Sequence, residues 1–304
     1  MKYGNRQDEN PFLPVLGDAR PGSQTAEVHS LLDRLSATFA WCCALLIFAA
    51  AGLLIFSTLS AGIGQVDWEF ITKEPSDSGR AGGIAPIIFS TTLIIGVCLI
   101  TVLPLGLATA IFLSEFSSDS SRVGRWIRFS LDLLAGVPSI VFGLFGNAFF
   151  CITLGMGYSI LSGGLTLACM VLPIFIRVSE ISLRQVTADY RRAAAAVGLS
   201  KWTSITRIVL PAALPGLLAA FTLGLARALA ETAALIFTSG YVTRYPESLF
   251  DSGRSLSVHI YDLALNVTGG NDRAFATAAI LVATLLVINA STHYLTKLVS
   301  QKTN

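Results

Sequence analysis

Few residues in this chain are of a type that does chemistry, and the notable ones are charges in apolar surroundings. Arg227 and Glu231 stand four apart in an apolar run from Pro211 to Ser239. Four-residue spacing places both on one face of a helix. Each charge would cost about 2.5–3.5 kcal/mol at the centre of a bilayer, even on the lenient insertion scale. The spacing leaves two readings open: an internal ion pair that seals a helix bundle, and the lining of an aqueous path taken by a charged solute. Asp132, near the start of another apolar run, reads as an interfacial residue. No G-x-x-x-x-G-K-[ST] loop is present to cradle the phosphates of ATP. No nucleophile–base pattern emerges. Cys42, Cys43, Cys98, Cys151 and Cys169 lie in apolar segments without metal-ligand spacing and read as small buried hydrophobes. No catalytic residue, cofactor or metal is therefore expected.

The elements that must hold these charges are membrane helices. The chain is 53% hydrophobic and 13% charged, a composition that indicates an integral membrane protein. A net charge of +2 suggests no nucleic-acid partner. The apolar runs predict an all-α protein with six spans: 37–59, 84–112 (interrupted at Pro104), 129–154, 158–178, 211–239 and 274–295. Residues 1–36 read as a polar cytoplasmic tail, disordered at first, with a short amphipathic helix over 25–35 on Val28, Leu31, Leu32 and Leu35. Residues 37–298 form the transmembrane domain, and 299–304 a second cytoplasmic tail. In the fifth span, Ala212, Gly216, Ala220, Gly224 and Ala228 make a stripe of small residues. Such a stripe lets helix backbones approach closely, which predicts a centrally packed helix.

Just before that span lies a loop, 187–210, carrying Arg191, Arg192, Lys201 and Arg207. Ala193 to Ala196 favour a helix. Gly198 tolerates the left-handed conformation that ends one. Ser200 is suited to cap a second, short helix, with Trp202, Ile205 and Val209 near one face. The residue before Pro211 tends to leave the helical region, so the short helix should end there. A protrusion of this kind suits a groove on a soluble partner.

Ala193–Ala196, Gly198, Ile208 and Leu210-Pro211 resemble the EAA signature of permease subunits of bacterial ABC importers. The resemblance implies a type I importer permease fold in which Arg192, Ala194, Ala195, Gly198, Trp202, Ile208 and Pro211 couple to a cytosolic ATPase. The signature's Glu falls on Arg192 here, which reverses the charge where the family's acidic residue helps anchor the ATPase. Leu134 to Gly146 (LAGVPSIVFGLFG) looks like a segment of phosphate permeases. Ala226 to Ala233 (ARALAETA) resembles their A-R-A-x-G-E-T-A, with Ala230 for the usual Gly. Ser257 to Tyr261 resembles the last external loop of the PstA type. The similarity implies a non-catalytic subunit of a phosphate importer; on the second of the two readings above, Arg227 and Glu231 lie on its translocation path. The partners it implies are a PstC-type permease, a cytosolic ATPase dimer of the PstB type, an extracytoplasmic PstS-type phosphate-binding protein and membrane lipid.

Orientation follows from the bases. With six spans, fifteen Lys and Arg fall on the side of the termini and the 187–210 loop, five on the other, and Arg227 in between. The positive-inside rule therefore predicts that both termini are cytoplasmic, and the resemblance implies the inner membrane of a bacterium. Rival readings are a permease for sulfate or molybdate, a self-sufficient secondary transporter, and a sensor of phosphate status. Secondary transporters often show internal repeats, and no convincing one is seen here.

Overall fold

The computed structural model describes the backbone of residues 23–118 and 120–303, and the side chains of 34–118 and 120–298. Most of residues 1–36 thus lies outside the described side chains, and the expected tail over 1–22 lies outside the described residues altogether. The chain divides into two compact units, residues 1–55 and 56–304. The first is the greater part of one helix, α1 (Ser23–Gly62). That helix is continuous from Ser23, so the separate short helix expected over 25–35 is simply its beginning. Its apolar stretch, 34–65, is long enough to span a bilayer. Cys42 and Cys43 sit exposed on its surface, contrary to expectation, because it is apolar all round and buries no single face.

The second unit begins with the end of α1, after which comes a small cap. α2 (Trp68–Thr72) starts where the Asp67 carboxylate accepts the Phe70 N–H at 2.6 Å. A two-stranded antiparallel ribbon follows, β1 (Pro75–Ser76) against β2 (Ala81–Gly82). The first span of this unit is α3 (Ala85–Ile111), continued by a π-helical turn, Phe112–Phe116. Pro104 lies inside α3 without interrupting it. Neighbouring helices can re-satisfy the carbonyl that a buried proline frees.

The third predicted span is not a straight helix. α4 (Arg122–Ala135) and α5 (Ser139–Gly146), which continues as a π-helix through Thr153, are bent by 101° across Gly136-Val137-Pro138. Pro138 has no N–H to continue α4 and disfavours helix in Val137. α4 thus begins at Arg122, seven residues ahead of the predicted start of that span. α6 (Ile160–Gln185) continues through Pro173.

α7 (Ala188–Ala196) and α8 (Lys201–Ser204) then form an elbow about Gly198. α8 does not stop before Pro211. It passes through a π-helical turn, Ile205–Val209, into α9 (Leu210–Leu229), and 201–229 is one span-length helix. The wider turn re-pairs the backbone where Pro211 has no N–H to donate. It also shifts the spacing, so Ile205 and Val209 are buried but Trp202 points outward. α9 ends at Leu229, ten residues short of the predicted end. α10 (Ala233–Ile236), α11 (Leu256–Leu265) and α12 (Asn271–Thr303) complete the unit. Among the described residues there are five span-length helices, or six with the bent α4–α5 pair.

α3 and α6 pack in parallel, with Gly164 against Val97 and Gly106 against Phe175. α9 is antiparallel to α6: Gly216 meets Ser182 and Gly224 meets Val171. In lipid there is little hydrophobic gain in helix contact, so close approach through small residues supplies the packing. The predicted stripe does this, with Ala220 and Ala228 fully buried between α9 and its neighbours. The central helix, however, is α6. Of its most apolar window 67% is buried, against 28% for the 201–229 helix, whose other faces look outward. Cys98 and Cys151 are buried as expected, and Cys169 is half-buried.

Candidate functional site

Three clusters of polar residues stand out, one at each end of the helices and one at the end of α9. The first is the elbow. Gly198 has φ of +77°, a left-handed conformation that other L-residues adopt only at a cost. The Leu199 N–H reaches back to the Ala194 carbonyl at 3.0 Å, closing α7. The Ser200 hydroxyl accepts the Thr203 N–H at 3.2 Å and starts α8. Sequence reasoning identified both residues. Ala194 is buried, whereas Arg192, Ala195, Val197 and Trp202 are exposed and Ile208 is half-buried. Among the described residues Arg192 pairs only with Asp189, at 3.2 Å, with both side chains in the open. Such a pair is worth little, and it leaves the surface of α7 available.

What holds the elbow was missed. Glu115, in the π-helical turn after α3, is almost buried and receives a forked ion pair from Arg191. The Arg191 guanidinium also donates to the Val186 carbonyl at 2.6 Å and the Leu183 carbonyl at 2.9 Å. Lys201 donates to the Glu115 carbonyl and lies over the Phe116 ring at 4.1 Å. The two ends of the elbow are thus tied to one turn of α3. Behind it, Glu180 of α6 is 2% exposed and meets Arg128 at 2.7 Å, Arg184 at 3.1 Å and Arg177 at 3.2 Å. Arg177 in turn holds Asp132 at 3.0 Å. The i−3 and i+4 spacing of Arg177 and Arg184 about Glu180 was a signal in the sequence. The distant contacts of Glu115 and Arg128 had none.

The second cluster lies at the end of α9. Arg227 is on the last turn, exposed, and among the described residues has no hydrogen bond or ion pair. Glu231 is only 7% exposed and lies beyond the helix end. Its carboxylate accepts the Ala234 N–H at 3.1 Å, starting α10, and its backbone carbonyl accepts the Ser257 hydroxyl of α11. The expected shared face is therefore absent. Ala230 caps α9, the chain turns, and four-residue spacing no longer aligns the two side chains. The internal ion pair is not formed.

The third cluster joins the loop after α10 to α11. Arg254 donates to Asp262 at 2.8 Å and faces the Nδ1 of His259 at 3.3 Å. Its Nε donates to the Tyr241 carbonyl. His259 is 1% exposed and backs onto Gly79, where a Cβ would come within 3.0 Å of the ring. Burial, and then the Arg254 charge, push the His259 pKa down to about 4 against the opposing pull of Asp262. Burial likewise lowers that of Arg254.

No group of three or more His, Cys, Asp or Glu suited to a metal occurs among the described residues. The arrangement can transmit movement and present charge, through an elbow tied to α3 at one end and an exposed base at the end of a membrane helix.

The chain is similar to several known proteins. The "Probable ABC transporter permease protein YqgI" of Bacillus subtilis is 30% identical over 292 residues, covering 90% of this chain and 98% of its own. The "Phosphate transport system permease protein PstA 1" of Mycobacterium tuberculosis is 36% identical over 211 residues, 69% of each chain. Among solved structures, a permease chain of a bacterial alginate ABC transporter superposes with a TM-score of 0.60 over 89% of this chain and 95% of its own, at 15% identity. A chain of the inward-facing MetNI methionine ABC transporter gives 0.53 over 71% and 94%, at 17% identity. These likenesses show the type I importer permease fold. Residues 102–304 match the family described as binding-protein-dependent transport system inner membrane component, and the chain belongs to that family of ABC importer permeases.

Proposed function

We propose that this chain is the PstA-type half of an importer of inorganic phosphate. The observation that carries the reading is its 36% identity to the PstA 1 permease over 69% of both chains. The LAGVPSIVFGLFG and ARALAETA segments support it, as does Arg227, an exposed positive charge in a membrane helix where an anion would need one. The partners are a PstC-type permease, two copies of a PstB-type ATPase and a PstS-type binding protein. The Lys and Arg asymmetry puts the termini and the 187–210 elbow on the cytoplasmic side, where an ATPase binds. Closure of the ATPases pushes on α7, and α3 and α9 carry the movement to the far end of the helices. The chain itself makes and breaks no bond. A complex purified on a tag of this chain and reconstituted with its binding protein tests the reading. Phosphate should stimulate ATP hydrolysis and be taken up, and sulfate and molybdate should do neither. Stimulation by sulfate or molybdate alone would assign the chain to another oxyanion.

A further inference from the structure

α4 is amphipathic in a way the transport reading does not use. Its inner side holds Gly124, Leu131 and Arg128, the last paired with Glu180. Its outer side carries Arg122, Arg125, Trp126, Phe129 and Leu133 in the open. Trp126 and Phe129 meet edge to face, with ring centroids 6.1 Å apart. With Arg125 they line a small cavity of about 240 Å³. Neither Arg122 nor Arg125 has an acidic partner among the described residues. The first turn of α4 contains no acidic residue, so both bases stand at the positive end of the helix dipole. This excess of positive charge is unrelieved within the described residues.

The other end of α4 opens onto a second cavity. Inside the 101° bend, Leu134, Val137, Val141, Phe145, Leu172 and Pro173 wall a groove of about 520 Å³ whose surface is almost entirely carbon. Arg125 and Leu134 are nine residues apart, about 13 Å along a helix. That matches one leaflet of a bilayer, whose hydrocarbon is about 15 Å deep. α4 runs antiparallel along the span-length helix α6, with Arg128 at Glu180 and Asp132 at Arg177, so its two ends lie at different depths.

We propose that α4 is a binding site for an anionic phospholipid, with the headgroup phosphate at Arg122 and Arg125 and an acyl chain in the groove between α5 and α6. Charge complementarity selects the lipid. A free anion would leave the carbon-walled groove empty, and a zwitterionic lipid would bring its own cation beside two bases that have no acidic partner among the described residues. The inference rests on the fold and not on the identity of the transported solute.

Trp126→p-benzoyl-phenylalanine, introduced in cells and activated by light, tests it through the mass of what it captures. The adduct should be phospholipid, enriched in anionic species over their share of the membrane. Arg122→Gln with Arg125→Gln should reduce that enrichment, by about fivefold for each base that touches the headgroup. Millimolar inorganic phosphate should leave the adduct unchanged. Capture of a protein subunit, lipid adducts in proportion to bulk composition, or displacement by phosphate would each overturn the proposal. Failure of phosphate transport would leave this result unaffected.

Discussion

Arg191 and Glu115, 76 residues apart, meet in a forked ion pair: Arg191 Nη2 lies 2.6 Å from Oε1, and Nε lies 3.1 and 3.2 Å from the two carboxylate oxygens. The Glu115 side chain is 7% exposed and that of Arg191 28%. Removing one partner of a buried pair leaves the other uncompensated, at a cost of about 3–5 kcal/mol. Arg191→Met should therefore lower the thermal stability of the purified chain by such an amount. Glu115→Met with Arg191→Met should recover most of it, since paired apolar replacements avoid the buried charge. The recovered double mutant should still lose transport per ATP hydrolysed, because the elbow is no longer tied to α3. Full coupling in that mutant would show that the pair only stabilises the fold.

How far the sequence reveals this architecture depends on the range of each cause. Gly198 and Ser200 act within a few residues, through backbone freedom and a local cap, and both were legible. The small-residue stripe was legible because packing against α6 needs only four-residue periodicity. The 101° bend was not read, because an apolar run longer than twenty residues also fits a straight span. Pro211 misled in the opposite direction: the π-turn before it absorbs the break that a proline usually causes. Arg227 and Glu231 illustrate the same limit. Their spacing predicts a shared face only if the helix continues, and it stops at Leu229. The contact of Glu115 with Arg191 joins distant segments and leaves no periodic trace.

Gly198 offers a test of the elbow. Its φ of +77° costs about 1–2 kcal/mol for a residue with a Cβ. Nothing lies within 4 Å of where that Cβ would point, so strain acts without a clash. Gly198→Val should reach the membrane in normal amounts but lose ATPase binding or stimulation. Gly198→Asn, which tolerates the left-handed region, should be milder. Equal uptake by wild type and Gly198→Val would remove the elbow from the coupling path.

His259 predicts a pH dependence. Its pKa is about 4 in the folded chain, against an unperturbed value of about 6.5. The unfolded chain therefore binds more protons between those values, and stability rises with pH across that window. The stabilisation is fully present above about pH 6.5 and is lost progressively as pH falls toward 4. Its size is on the order of 3 kcal/mol. Thermal unfolding of wild type and His259→Gln, followed from pH 7 to pH 4, should show a steeper loss in the wild type. The charges facing the ring are Arg254 and Asp262, so Asp262→Asn should steepen the loss by removing the group that favours a protonated imidazole. Parallel curves for wild type and His259→Gln would assign acid sensitivity elsewhere.

The separation of Arg227 from Glu231 changes what their mutants should do. In an ion pair, removing either partner would harm the fold and removing both would restore it. Here Glu231 caps α10 and Arg227 stands exposed without a partner among the described residues. Glu231→Leu leaves the buried Ala234 N–H unsatisfied, at about 1–3 kcal/mol, and should lower stability and assembly. Glu231→Gln keeps an acceptor oxygen and should recover most of that loss. Arg227→Leu removes no internal contact, so the complex should assemble at wild-type levels. If Arg227 shapes the potential along an anion path, it acts where low dielectric leaves its field poorly screened, and its loss should abolish phosphate uptake. The double mutant should then combine the two defects, with the stability of Glu231→Leu and the transport of Arg227→Leu. The measurement is phosphate uptake normalised to assembled complex, beside the melting temperature of each variant. Restored stability in the double mutant would revive the ion pair, and full uptake by Arg227→Leu would take the arginine off the path.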